Sequence, residues 1–291
     1  MHSDAQRLSK MKTFKRRFEL LLPSLFLSVL LLVAMISGAS GVRGPVKGGG
    51  EIAEPAALPG ERSPEPASAL NYQLHCSREK FYFDIYWLGI YVGNATLEAV
   101  NEAGIVSITS QVHSASVIST FYKVEDYAES ELKKGLAAHF RIRQREGRYR
   151  SDKETIFDRD GGKLRYFDYR KGTQAEYELK KGPLWDVISG FYFLRTQFLQ
   201  VGERLSIDVF DSDKIYTAEV SVVRKEKAKF AGNGEVDAVV VKPVLKSEGI
   251  FQHKGDILVW LTDDEKKIPL KVETRVPVGT VRAELKRLET E

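Results

Sequence analysis

The side chains able to do chemistry are scattered along this chain. Five histidines, His2, His75, His113, His139 and His253, show none of the short spacings of a zinc site, and neither HExxH nor CxxC occurs. The Gly-x-Ser-x-Gly elbow of the hydrolases is absent, and Gly48-Gly49-Gly50 leads into no helical pattern that would cradle a phosphate. Asp263-Asp264-Glu265 lacks the alternating ligand spacing of a calcium loop and reads as a charged hairpin turn. The expectation is a protein that is not an enzyme and holds no metal or cofactor. An envelope hydrolase, whose Ser/His/Asp or paired carboxylates would converge only in the fold, is the remaining catalytic reading.

Two features stand out as candidates for binding. Arg195 lies within an otherwise apolar stretch, four residues after Phe191 and three after Tyr192. A guanidinium there needs a carboxylate partner or an anionic ligand, since an unpaired buried charge is costly; an exposed Arg195 is the third possibility. The second feature is aromatic density. Phe81, Tyr82, Phe83, Tyr86, Trp87 and Tyr91 fall within eleven residues, and Trp185, Phe191 and Tyr192 accompany Arg195. Aromatics of this kind build cores, and Tyr and Trp also line concave sites for lipids or sugars. The candidate ligand-binding set is Arg195, Trp185, Phe191, Tyr192, Tyr86, Trp87 and Tyr91.

The elements that must carry these residues are mostly strands. Phe81–Leu88, Ile90–Val100 and Ile105–Val112 are aromatic, β-branched or alternating. Ile268, Leu270, Val272, Thr274 and Val276 oppose Lys271, Glu273 and Arg275, and Val281, Ala283 and Leu285 repeat the alternation. Period two with one wet face marks antiparallel sheet. The alternation of Arg141, Arg143 and Arg145 reads as the solvated face of one strand. Asp160-Gly161-Gly162, Gly172, Gly232-Asn233-Gly234 and 262–266 supply turns, and Pro269 suits an edge or a strand start. One long helix is expected over Leu184–Leu199, between Gly182-Pro183 and Gly202, with a second short one near Ser116–Tyr122. The sum is a meander of nine to eleven strands with one major helix packed on it.

The N-terminal region gives these elements an address. Lys10, Lys12, Lys15, Arg16 and Arg17 precede 23 uncharged residues, Leu20 to Val42, with small residues at 37–41. That layout is a signal peptide or an uncleaved anchor over residues 1–40, long enough to span a hydrocarbon core of roughly 30 Å. Residues 41–70, rich in Gly and Pro, read as a disordered tether, and 71–291 as a single β-rich exported domain. The chain holds 44 Lys and Arg against 40 Asp and Glu; the first 40 residues contain six and two of these, leaving 38 of each. The basic balance therefore belongs to the targeting segment and argues against nucleic acid as a partner. The single cysteine, Cys76, forms no internal disulfide and reads as a buried or incidental thiol, or one that pairs with another chain.

Four segments together resemble a known family: Tyr86–Ala95, Phe121–Asp126, Phe191–Arg195, and Val259–Asp264 through Leu270. In order and spacing they are similar to the "domain of unknown function 3108" proteins of bacterial envelopes, over about Phe81 to Leu288. The resemblance implies a periplasmic β-rich domain without an assigned activity. By fold analogy it further implies an open, strongly curved antiparallel sheet or incomplete barrel with the helix on its concave face, like the lipoprotein carriers of the envelope.

The functional expectation is non-catalytic binding of an apolar or amphipathic, lipid-like envelope molecule on the concave face. The alternative is an assembly or scaffold protein that meets a protein partner through a sheet edge or the helix face. Membrane contact is expected only through an uncleaved N-terminal segment.

Overall fold

The computed structural model describes residues 76–179, 182–232, 234–246, 257–276 and 279–291. The expected export segment and tether lie outside these residues. No helix among the described residues is long and apolar enough to cross a membrane.

The described chain forms fourteen strands: β1 Arg78–Trp87, β2 Ile90–Glu102, β3 Ile105–Ser114, β4 Glu125–Lys133, β5 Leu136–Glu146, β6 Tyr149–Asp158, β7 Lys163–Asp168, β8 Thr173–Glu178, β9 Arg204–Asp211, β10 Lys214–Lys229, β11 Glu235–Lys246, β12 Ile257–Thr262, β13 Pro269–Val276 and β14 Gly279–Thr290. Two helices accompany them, α1 Ser116–Ser119 and α2 Val187–Thr196. The strand number exceeds the expected nine to eleven because several hairpins lack a cluster of turn residues. Leu88-Gly89, Ala103-Gly104 and Lys134-Gly135 each reverse the chain in two residues, both at positive φ. That geometry matches the twist of the flanking strands.

All fourteen strands belong to one antiparallel sheet in the order β8-β7-β6-β5-β4-β3-β2-β1-β14-β13-β12-β11-β10-β9. Sequence neighbours pair except β8 with β9, and β1 pairs with β14, from Glu79 opposite Thr290 to Trp87 opposite Val281. The two free edges, β8 and β9, are consecutive in the chain. An up-and-down barrel would close there with a hairpin; here the connection 179–203 carries α2 into the concave face instead. The sheet is therefore curved and unclosed.

The alternation expected from the sequence sets the inward face. Phe81, Phe83 and Ile85 are buried from β1, and Val281, Ala283 and Leu285 from β14. Arg143 and Arg145 are exposed while Ile142, Gln144 and Glu146 point inward. Close approach fixes one residue by size: a Cβ on Gly93 would collide with the carbonyl oxygen of His113 on the paired strand. Because every strand reverses, the barrel has two ends. The connections β1–β2, β3–β4, β5–β6, β7–β8 and β9–β10 lie at one end, here the hairpin end. The other, the plug end, carries α2, the β12–β13 turn and the paired ends of β1 and β14.

Candidate functional site

The helix sits inside the barrel. It is shorter than the expected Leu184–Leu199, because Asp186 caps it: Oδ1 accepts from the Ile188 and Ser189 N–H at 2.8 and 3.0 Å. Asp186 Oδ2 accepts the Ser130 hydroxyl on β4 at 2.7 Å and the Ser189 hydroxyl at 2.7 Å. The cap thus starts the helix and fastens it to the wall. Asp186 is fully buried, and burial raises its pKa. Every residue from Val187 to Arg195 is buried. Gly190 lies against Val209 and Ile207 of β9, where even a Cβ would sit 3.4 Å from Val209.

At the far end of α2, Arg195 reaches the wall 116 residues back in sequence. Its Nη1 and Nη2 donate to the two carboxylate oxygens of Glu79 on β1, at 2.5 and 3.1 Å. Its Nε and Nη2 donate to the Lys267 and Lys266 carbonyls in the β12–β13 turn, both at 3.1 Å. The guanidinium lies 5.3 Å from the centre of the Phe81 ring and 4.9 Å from that of Tyr192. Nearby Cys76 is half-buried, and burial raises its thiol pKa.

Four of the seven candidate residues are brought together here. Trp185 stacks on Phe193 at 4.7 Å, and Phe191 meets Tyr192 edge-on at 6.1 Å, beside Arg195. The other three are placed elsewhere, which corrects the expectation of a shared concave site. Tyr86 and Tyr91 contact each other at 6.0 Å, with Arg282 of the wet face of β14 over Tyr86. They therefore belong to the outer face, and Trp87 is half-buried at the hairpin end. The first hairpin splits because of period two: Phe81 and Phe83 turn inward, whereas Tyr82 and Tyr86 turn outward. Phe198, expected in the apolar stripe of the helix, lies beyond its end and is exposed.

A few side chains bridge the seam between β8 and β9. Lys153 Nζ donates to Ser212 Oγ at 2.7 Å, the Tyr177 hydroxyl donates to the Asp213 carbonyl at 3.2 Å, and Tyr166 and Tyr177 both rest on Phe210. Just before α2, Trp185 runs parallel to β9, donating to Asp208 O and accepting from Phe210 N–H. Arg159 ties this segment to the wall through the carbonyls of Leu184 and Ala137. The edge of β9 is thereby covered in part, while five of the six residues of β8 are exposed.

Beneath the hairpin end the interior turns polar, which sequence reasoning left open. Asp126 on β4, Gln144 and Glu146 on β5, and Ser151 on β6 are all buried. Asp126 Oδ1 accepts the Arg145 N–H at 2.8 Å, and Gln144 Nε2 donates to Glu146 Oε1 at 3.4 Å. Burial is the main cause that raises both carboxyl pKa values, and the negative charge of Asp126 raises Glu146 further. Asp126 Oδ2 and Glu146 Oε2 are buried without a hydrogen-bond partner, and the pair keeps a proton above the ordinary carboxylate range. The signal existed in the sequence: Gln144 and Glu146 share the parity of Ile142. Among the described residues no group of three or more His, Cys, Asp or Glu is placed to hold a metal.

The sequence profile of the family "Protein of unknown function (DUF3108)" matches residues 82–286. The chain belongs to this family. None of the curated proteins matches it. Among solved structures, it is similar to a "Beta-barrel-like Protein of Domain of Unknown Function DUF1849 from Brucella abortus", with a TM-score of 0.53 and 10% identity. That match covers 75% of this chain and 100% of the other, and at this identity it speaks for the shared barrel-like fold alone.

Proposed function

We propose that this member of the DUF3108 family is an exported, non-catalytic envelope protein that takes an amphipathic, lipid-like molecule into its barrel. The supporting observation is the seam. A large curved sheet with an apolar interior is left unclosed between β8 and β9, held there by a few side-chain contacts, and filled by a helix in place of a final strand pair. A guest entering at the seam would lie along Trp185, Phe191 and Tyr192 with its apolar chain. Its polar group would find the acceptors of Asp126, Gln144, Glu146 and Ser151 at the hairpin end. The basic and apolar pattern of residues 1–40 supports export.

The test is native mass spectrometry of the chain, produced with its own leader and purified from the envelope without detergent, followed by solvent extraction. A stoichiometric amphipathic adduct is expected. An adduct-free chain overturns the reading.

The second reading, a scaffold that accepts a partner strand, draws on the same seam. The free edge of β8 presents an unpaired row of backbone groups of the kind that adds a strand from another protein. A cross-link from β8 to a partner, with no bound lipid, is the result that favours it.

A further inference from the structure

At the hairpin end, large apolar side chains and cations are gathered at neighbouring positions. Leu88 and Ile90, at the β1–β2 turn, are 62% and 65% exposed, with Tyr91 beside them. The next connection, β3–β4, carries α1 and presents Val117 and Phe121, 74% and 66% exposed. The two connections are adjacent, because Ala115 N–H donates to Val92 O at 2.8 Å. Packing among the described residues leaves these five side chains exposed.

The following two connections are basic. Arg145 and Arg150 stand directly opposite each other across β5–β6, with Arg148 in the turn between them, and all three are exposed. Like charges directly opposite are destabilising, so the fold keeps a repulsion that an anion lying over both would relieve. Arg170 and Lys171 follow in the exposed β7–β8 turn. The local acidic groups are mostly buried or already paired. Glu125 is held by Lys123 at 2.7 Å, Asp168 takes Lys171 at 3.3 Å, Asp213 lies across the seam, and Asp126, Glu146 and Asp211 are buried beneath the rim. The charge of residues 41–291 balances, so this basic face arises from placement and not from composition.

Apolar tips beside a cluster of cations on one rim match the two layers of an anionic lipid surface. We infer that the hairpin end of the barrel docks on an anionic phospholipid bilayer, with Leu88, Ile90, Tyr91, Val117 and Phe121 entering the headgroup layer and Arg145, Arg148 and Arg150 lying on lipid phosphates. Docking of this kind stands whether or not the barrel carries a ligand. It also makes membrane contact a property of the folded part, beyond any contact made by the N-terminal segment.

The test uses the full chain with Cys76→Ser and Val117→Cys, labelled at position 117 with an environment-sensitive nitrobenzoxadiazole. It is bound to vesicles of phosphatidylcholine alone or with about 30 mol% phosphatidylglycerol. The N-terminal apolar segment can insert into both, so the label reports the rim and not the anchor. A blue shift on the anionic vesicles only, weakened by added salt, is expected. In Arg145→Gln/Arg148→Gln/Arg150→Gln the docking constant falls by about fivefold per cation, on the order of a hundredfold for three. These side chains are exposed, and an unchanged circular dichroism spectrum confirms that the variant is folded. Equal emission on both vesicles, or a triple variant that responds like the parent, overturns the inference. So does a shift without lipid that grows with protein concentration, which would assign the apolar tips to a second copy of the chain.

Discussion

Replacing Arg195 with Met removes the cation at the end of the internal helix and keeps most of its volume. Four of the five N–H donors of the guanidinium rest on Glu79 and the carbonyls of Lys266 and Lys267, and both charged side chains are buried. The variant leaves the Glu79 carboxylate in the interior without its cation, which costs about 3–5 kcal/mol. For a domain of this size that lowers Tm by about 6–20 °C. Removing both charges in Arg195→Met/Glu79→Leu deletes the stranded carboxylate, so the double variant should be more stable than the sum of the single losses predicts. A coupling of about 2 kcal/mol or more is expected. The assay is urea unfolding followed by far-UV circular dichroism, with midpoints compared at a common slope. An Arg195→Met variant within about 1 kcal/mol of the parent, or single effects that simply add, would refute the reasoning. Either result would mean that the pair does not hold the helix in the barrel.

Three further outcomes follow from the interior. Asp126 and Glu146 hold a proton in the fold that the unfolded chain releases above the ordinary carboxylate range, because burial raises both values. The folded state then binds more protons, so the stability this pair contributes is full below the unfolded carboxylate range and falls as pH rises, by about 1.4 kcal/mol per unit for one proton. Thermal melts between about pH 5.5 and 8.5 should show this slope in the parent and a flatter one in Glu146→Gln; equal slopes would remove the retained proton from the account. Gly147→Ala should cost about 1–3 kcal/mol, since φ is +54° and the new methyl would lie 2.5 Å from the Tyr122 ring. Limited proteolysis between 115 and 124 reads the loosening, and an unchanged cleavage rate and Tm would count against the contact. Asp186→Ala removes the helix cap and the bond to Ser130, with an expected loss of about 2 kcal/mol or more in urea unfolding. A loss below about 0.5 kcal/mol would show the helix start to be held by packing alone.

Local pattern carried much of this architecture. Period-two alternation in 268–276 and 281–285 dictates which side chains face inward, because adjacent residues in a strand must point to opposite sides. The apolar run before Arg195 likewise dictates a buried helix, and the gathering of Arg141, Arg143 and Arg145 on one strand face follows from parity. The family resemblance was legible for the same reason, since it rests on short segments in a fixed order. Tertiary structure alone decided the rest. The partner of Arg195 is Glu79, 116 residues away, and nothing local singles out that glutamate among the acidic residues of the chain. The separation of Tyr86 and Tyr91 from Trp185, Phe191 and Tyr192 was hidden because aromatic composition does not say which face of a sheet a residue takes. The meeting of Asp126 with Glu146, and of five exposed apolar side chains with three arginines on one rim, required the strands to be laid side by side. Composition counts charges, and a balanced count conceals a basic face until the register places Arg145 opposite Arg150.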